Sequence, residues 1–323
     1  MSQIAEKQTP DAPGSAKDPA ARVILAGLSQ SRKTLPCFLF YDIRGSELFE
    51  EITRLPEYYP TRTEAAIIEA AAKDIALHTP PGSVLVEFGS GSSRKTEILL
   101  SALPSLSAYV PIDVSRSALD EASSRLAVRF PSLRVLPTLG DFAEPLSLPQ
   151  ALSKRPRLGF FPGSTIGNFA PADACDLLSH MAENLGPSGR LVIGVDLRKD
   201  LSILLPAYND AAGVTADFNL NILVRLNREM GADFNVDDFA HRAVFNREES
   251  RIEMHLVSLK AQSVELLGHS FAFAEGESIH TENSYKYSIP LFKELARRAG
   301  WFPREVWTDP KSLFSLHELT IAH

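Results

Sequence analysis

The run Val84-Leu85-Val86-Glu87-Phe88-Gly89-Ser90-Gly91-Ser92-Ser93 constrains this chain more than any other segment. An apolar stretch ending in an acid reads as a buried strand, and two close glycines let the backbone turn sharply into the next element. A second short strand, Tyr109-Val110-Pro111-Ile112-Asp113, ends in another acid about 20 residues on, where an adjacent parallel strand would place it. Further strands are expected at 134–139, 158–161 and 191–196, with helical periodicity between them, for example over 172–185. Short, doubly apolar strands separated by helices predict an α/β fold with a doubly wound, Rossmann-like parallel sheet covered on both faces.

After Asp196 the rhythm changes. Residues 201–230 read as long and helical, whereas Ile252-Glu253-Met254-His255-Leu256-Val257 alternates as a strand does. Strands are expected again at 264–267, 270–273 and 314–322, and a helix at 288–299. The first 20 residues are polar and proline-bearing and read as a disordered lead-in. Leu55-Pro56-Glu57-Tyr58-Tyr59-Pro60-Thr61-Arg62-Thr63-Glu64 predicts an extended segment or turn before a helix capped by Thr61 or Thr63. The expected organisation is a sheet domain of residues 61–196 and 287–323, with a mixed α+β lobe of residues 21–60 and 197–286 closing over it.

An acid and Gly-x-Gly at a strand's carboxyl end suit an adenosine cofactor, although such turns also occur in plain strand-to-helix connections. A dinucleotide site calls for a third glycine where this chain has Arg94. Glu87, at the end of the strand, would welcome a ligand with a positive end. S-adenosylmethionine carries a sulfonium and an ammonium and no phosphate, so it is the expected cofactor, held at Glu87, Gly89 and Gly91, with Asp113 on the ribose hydroxyls. Asp141 and Phe142 follow the third strand, where an acid can accept from the adenine amine and a ring can lie against the base; the alternative is a helix cap. Gly163-Ser164-Thr165-Ile166-Gly167-Asn168 follows the fourth strand, and Asn168 offers polar contacts beside a transferred methyl or caps a turn. Glu282 and Ser284 would share one side of an extended segment, a grip for a ring with two nitrogens or a solvated strand edge.

Composition narrows the classes. A formal charge of −7 with no basic run argues against nucleic acid as partner. Two cysteines are too few for a disulfide framework, and no apolar run reaches membrane-spanning length. The eight histidines lack a helical His-x-x-x-His pair, so no metal is expected. A cytoplasmic monomer acting on a small molecule is the expectation.

These segments together resemble the L-histidine-specific, S-adenosylmethionine-dependent Nα-methyltransferases that make hercynine, the first step toward ergothioneine. The resemblance runs from Phe40-Tyr41-Asp42 to the C-terminus and includes the 55–64 and 163–168 segments. It also covers Tyr208-Asn209-Asp210-Ala211-Ala212-Gly213-Val214-Thr215, Arg251-Ile252-Glu253-Met254 and Thr281-Glu282 with Ser284. The resemblance implies that Gly89, Lys95, Asp113, Asp141 and Phe142 contact the cofactor, and that Tyr41 lies close to its reactive end. It implies that Tyr58, Asn168 and Tyr208 hold the substrate's carboxylate and amino group, and that Glu282 and Ser284 bind the imidazole in a pocket lined by Met254. Tyr41 and Asn168 are then the catalytic candidates. Phe88 and Arg94 stand at positions where relatives often differ, and His280 adds an imidazole beside the pocket segment. Two other readings stand beside this one: an Nα-methyltransferase of another aromatic amino acid or a tryptophan derivative, and a non-catalytic S-adenosylmethionine-binding protein.

Overall fold

The computed structural model describes residues 18–91, 94–144, 152 and 154–321. The expected lead-in falls almost wholly outside the described residues, as do Ser92 and Ser93 of the glycine turn. Along the chain run α1 (Pro19–Leu28), α2 (Ile43–Ile52), α3 (Tyr59–Leu77), β1 (Val84–Phe88), α4 (Arg94–Ala102), β2 (Ala108–Asp113) and α5 (Arg116–Arg129). There follow β3 (Thr138–Leu139), β4 (Arg157–Phe161), α6 (Pro171–Leu185), β5 (Arg190–Asp196), α7 (Leu201–Leu204) and α8 (Val214–Met230). The remainder comprises β6 (Phe239–Asn246), β7 (Arg251–Ser258), β8 (Gln262–Leu266), β9 (His269–Phe273), β10 (Ser278–Tyr285), α9 (Ile289–Arg298), β11 (Trp301–Thr308) and β12 (Phe314–Ile321).

The chain divides into two compact units. The first holds the described residues up to Tyr58 together with Leu201–Asn246 and Ile252–Asn283. The second holds the described residues of Tyr59–Asp200, Arg247–Arg251 and those from Ser284 onward.

The second unit is built on a seven-stranded sheet of order β11-β12-β5-β4-β1-β2-β3. Strands β1 to β5 pair in parallel, and β12 and β11 add antiparallel at one edge. The pleat sends alternate residues of each strand to opposite faces. On one face Val84, Val86 and Phe88 pack with Leu178 and Met181 of α6 and Phe292 of α9. On the other, Leu85 packs with Ile68 of α3 and Leu99 of α4. Burial on both faces explains why the sheet strands read as continuous apolar runs. Connections leave β1 toward β2 and β3 on one side and reach β4 and β5 on the other, so the strand order reverses between β1 and β4. That switch point is where open α/β sheets bind ligands, outside the strands' carboxyl ends.

Two expectations in this unit are corrected. The third strand is only Thr138–Leu139, because Pro137 has no N–H for the ladder, and Val135 keeps a single bridge to Tyr109. Helix α3 starts at Tyr59 rather than after Thr61 or Thr63, since Pro60 suits a first helical turn where its missing N–H costs nothing.

In the first unit a three-stranded sheet of order β10-β7-β6 is accompanied by the β8-β9 hairpin, and α2 packs on α8. Asp42 caps α2 by accepting from the Gly45 amide at 2.7 Å, and also accepts from Asn221 and Arg228. The expected helix over 201–230 is divided into α7, a 3-10 turn Pro206–Tyr208 and α8. Pro206 cannot donate to a preceding turn, and the break sets Tyr208 at the end of the short turn.

One close approach in the sheet unit bears on function. Glu64 of α3 is fully buried against β5, and a Cβ at Gly194 would stand 1.9 Å from its Oε1. Gly194→Ala should therefore destabilise the protein by about 1–3 kcal/mol through overpacking. Urea unfolding of the two proteins checks this, and an unchanged midpoint would show that Glu64 moves aside without cost.

Candidate functional site

In the sheet unit, the carboxyl ends of four adjacent strands assemble most of the expected cofactor residues. After β1 the chain turns at Gly89 and Gly91, with φ of 74° and 43°. These values lie where a Cβ is disfavoured, and a Cβ on Gly89 would stand 3.2 Å from the Phe142 ring. Asp113, at the end of β2, accepts from the Gly91 amide at 3.3 Å and from the Ser115 amide at 2.9 Å. Asp141, beyond β3, is exposed and accepts from the Ala143 amide at 2.9 Å. The Phe142 ring meets Phe161 of β4 edge-on at 5.4 Å. Glycine turn, carboxylate and ring thus lie around the β1 end, a shape that fits an adenosine with bare backbone and an acid for its sugar.

Lys95 is joined to Glu64, a residue that belongs to no cofactor motif in the sequence. Its Nζ lies 2.6 Å from Glu64 Oε2, and both Glu64 oxygens accept from the Gly163 amide at 2.9 Å. Glu64 therefore holds the loop after β4 to α3. The same loop has Ser164 at a φ of 56°, with its Oγ accepting from the Asp196 amide at 2.9 Å. Asn168 closes the 3-10 turn Thr165–Asn168 on this loop and is half-buried.

Glu87 departs from its expected place. The pleat turns it to the sheet face covered by α4, where Thr96 donates to it at 2.6 Å and the Tyr109 hydroxyl bonds its other oxygen. Complete burial, against the opposing effect of those bonds, pushes its carboxyl up to about 8. Both of its oxygens are thereby engaged on that face by Thr96 and Tyr109.

Ser284, also in the sheet unit, accepts from the buried Lys286 ammonium at 2.7 Å. Lys286 in turn pairs with Asp196 at 2.8 Å. The Asp196 carboxylate further accepts from Tyr59 at 2.7 and 2.9 Å and from Lys199 at 2.5 Å. Burial alone would raise this carboxyl, but the two ammonium groups hold it below the usual range. Sequence reasoning assigns no role to Asp196, Lys286, Tyr59 or Glu64. The sequence signals were Asp196 itself, a third acid at the end of an apolar strand, and the 55–64 segment, which holds Tyr59 and Glu64.

In the first unit the three tyrosines are brought into one chain of rings. Tyr41 meets Phe49 at 6.1 Å, Phe49 meets Tyr58 at 6.2 Å, and Tyr58 meets Tyr208 at 6.5 Å, all edge-on. Phe218 of α8 backs the array, stacking on Phe40 at 4.4 Å. Tyr41 is 42% exposed, whereas Tyr208 is nearly buried.

Beneath Tyr208 runs a polar relay. His241 Nε2 donates to the Tyr208 carbonyl at 2.9 Å, and its Nδ1 accepts from Asn219 at 2.9 Å. Burial lowers the basicity of His241, in keeping with this neutral tautomer. Asn219 also donates to the His255 carbonyl and accepts from Thr281, whose hydroxyl is 3.0 Å from the Met254 carbonyl. Met254 lies on the buried face of β7 with Ile252 and Leu256. Glu282, on β10, is half-buried, and its carbonyl accepts from His280 Nε2 at 3.0 Å. Tyr41, Tyr58, Tyr208, Met254 and Glu282 thus belong to the first unit, and the expected cofactor residues, Asn168 and Ser284 to the second.

The parallel-dominated sheet and its glycine turn define a Rossmann-like fold. A solved S-adenosylmethionine-dependent methyltransferase from Clostridium acetobutylicum shares the fold, with a TM-score of 0.51 over 86% of this chain and 99% of that one, at 11% identity. A family model described as "Histidine-specific methyltransferase, SAM-dependent" matches residues 20–321, and the chain belongs to that family. It is 43% identical to a histidine N-alpha-methyltransferase of Mycolicibacterium smegmatis, over 94% of this chain and 95% of the relative. The corresponding enzyme of Mycobacterium tuberculosis is 41% identical over 91% of this chain and 92% of its own length. Ergothioneine biosynthesis protein 1 of Neurospora crassa is 32% identical over 85% of this chain, which spans 32% of that longer protein. Among the described residues no helix is long and apolar enough to cross a membrane.

Glu87 yields a pH prediction. In the folded protein it stays protonated to about 8, whereas the unfolded chain ionises it near 4.5. Between those values the native state holds the extra proton, so this group's stabilisation is present at low pH and is lost as pH rises toward 8. Glu87→Gln keeps a carbonyl for Thr96 and removes the titration. Urea unfolding from about pH 5 to about pH 8 should show a shallower fall for the variant. Parallel profiles would mean that Glu87 is already charged in the native protein.

Proposed function

We infer that this protein transfers methyl groups from S-adenosylmethionine to the α-amino nitrogen of L-histidine, three times in succession, giving hercynine for ergothioneine biosynthesis. The observation that carries the reading is membership of the histidine-specific family across residues 20–321, a span that includes both the glycine turn and the Glu282 segment. S-adenosylmethionine, when bound, supplies an electrophilic methyl on its sulfonium.

The roles proposed for this chain's residues rest on their chemistry. Gly89 and Gly91 leave bare backbone for the cofactor, Asp113 accepts from the ribose hydroxyls, and Asp141 with Phe142 takes the adenine. Lys95 serves the same site from its place beside Glu64. Tyr58, Tyr208 and Asn168 hold the amino acid's carboxylate and amine, and Tyr41 and Asn168 flank the transferred methyl. Glu282 accepts from one imidazole nitrogen and Ser284 bonds the other, with Met254 lining the pocket. Because Lys286 already donates to Ser284 Oγ, that hydroxyl is biased to donate its own hydrogen onward.

The amine must be neutral to attack. Reference α-amino groups titrate near ~8, and a free amino acid somewhat higher, so a small reactive fraction exists at neutral pH without a dedicated base. Positioning then supplies much of the rate, with nitrogen and methyl held in line at roughly 3 Å. The trimethylated product has no N–H left to donate and should bind less well wherever the site hydrogen-bonds the amine.

Incubation of the purified protein with L-histidine and S-adenosylmethionine should yield mass gains of successive methyl groups up to the trimethyl product. No gain on histidine, or gain only on a tryptophan derivative, would overturn the reading. Glu282→Ala should lower kcat/KM for histidine by about ten- to a hundredfold more than for phenylalanine or tryptophan, whose rings do not need the carboxylate. Equal proportional losses for all three amino acids would make Glu282 structural.

A further inference from the structure

The first unit carries a side-chain cluster that the methyl-transfer reading does not use. Strand β7 turns Ile252, Met254 and Leu256 to its buried face and Glu253 and His255 to the other. From β10, the His280 ring stacks on His255 with centroids 4.8 Å apart and planes at 21°. One ligand atom each from Glu253, His255 and His280 falls within 4.8 Å of the other two.

We propose that Glu253, His255 and His280 form a binding site for a first-row divalent cation of the zinc type. Two imidazoles and a carboxylate are a donor set that zinc takes with a further position left to water. Zinc ligands at about 2.0–2.2 Å stand roughly 3.5 Å apart, so closing the cluster asks for a side-chain shift of about an ångström. The Glu253–His255 edge is already there: His255 Nε2 lies 3.2 Å from Glu253 Oε2. An ion on that edge replaces the shared proton, which is released to solvent or moves to Nδ1.

The groups around the cluster are those that orient ligands. Asn246 donates to the second Glu253 oxygen at 2.9 Å. The Ser278 hydroxyl lies 3.4 Å from His255 Nδ1, positioned to accept from it once Nε2 is on the metal. His280 Nε2 donates to the Glu282 carbonyl, which leaves the ring's lone pair on Nδ1. Side-chain exposures of 13% and 14% for His255 and Glu253 place the cluster in partial contact with solvent. Neighbouring strands of one sheet supply all three ligands, so the scaffold is set before the ion arrives.

The test titrates the full chain with Zn2+ by calorimetry, and with Co2+ by its visible absorption, in metal-free buffer. Saturable uptake is expected, weakened by at least about tenfold in His255→Gln and in His280→Gln, with loss of the Co2+ band. No uptake by the parent protein, or uptake unchanged in both variants as for an ion on Cys37 or Cys175, would overturn the proposal. The unmutated protein gives a check independent of folding in the variants. Zn2+ should protect His255 and His280, but not the exposed His269, from diethyl pyrocarbonate, mapped by mass spectrometry. Equal labelling with and without the ion would count against the site.

Discussion

The second unit hangs on the carboxylate of Asp196. This residue ends β5, pairs in register with Phe314 of β12, and is wholly buried. Its side chain gathers Tyr59 from the start of α3, Lys199 from the segment after β5, and Lys286 from the segment after β10. Its backbone amide donates to Ser164 and its carbonyl accepts from Tyr287. A buried carboxylate without such partners would be costly, and removing one member of a buried pair typically costs about 3–5 kcal/mol. The arrangement carries a surplus positive charge, and burial with the Lys286 neighbour lowers Lys199 to about 8. Five stretches of chain far apart in sequence are thereby tied to one point at the end of a central strand.

Glu64 repeats this logic on a smaller scale. A fully buried carboxylate joins α3, Lys95 and the Gly163 amide, and β5 makes room for it only because residue 194 is glycine. The Glu64 carboxylate and the Asp196 backbone amide fix the loop after β4 at two successive residues, Gly163 and Ser164. Asn168 sits on that loop. If Asn168 acts beside the transferred methyl as proposed, it gains from such support, because small displacements cost rate.

In the first unit the aromatic chain from Tyr41 to Tyr208 has a different foundation. The rings pack by area and edge-to-face contact, while the His241–Asn219 relay fixes the backbone at Tyr208 and His255 and, through the Thr281 hydroxyl, at Met254. One histidine and one asparagine thus set where α8, β7 and β10 stand relative to each other.

Much of the sheet unit was legible in the sequence, because period and punctuation are local properties. The apolar strands, the glycine turn, Asp113 at the end of its strand and the ring of Phe142 come from residues close together in the chain. Proline set the limits of that legibility: Pro137 trimmed the third strand, Pro60 moved the start of α3, and Pro206 divided an expected long helix. The pleat decided Glu87, since an acid at a strand's end can face the crevice or a covering helix, and α4 supplied Thr96 on the second side. Partnerships across long separations stayed hidden until the chain folded. Asp196 with Lys286, Glu64 with Gly163, and His255 stacked on His280 each join residues whose spacing carries no periodic signal. Sequence alone determined which elements form and which chemistries are present. Tertiary structure decided which polar groups face one another, because a buried charge takes its partner from whatever segment packing brings within reach.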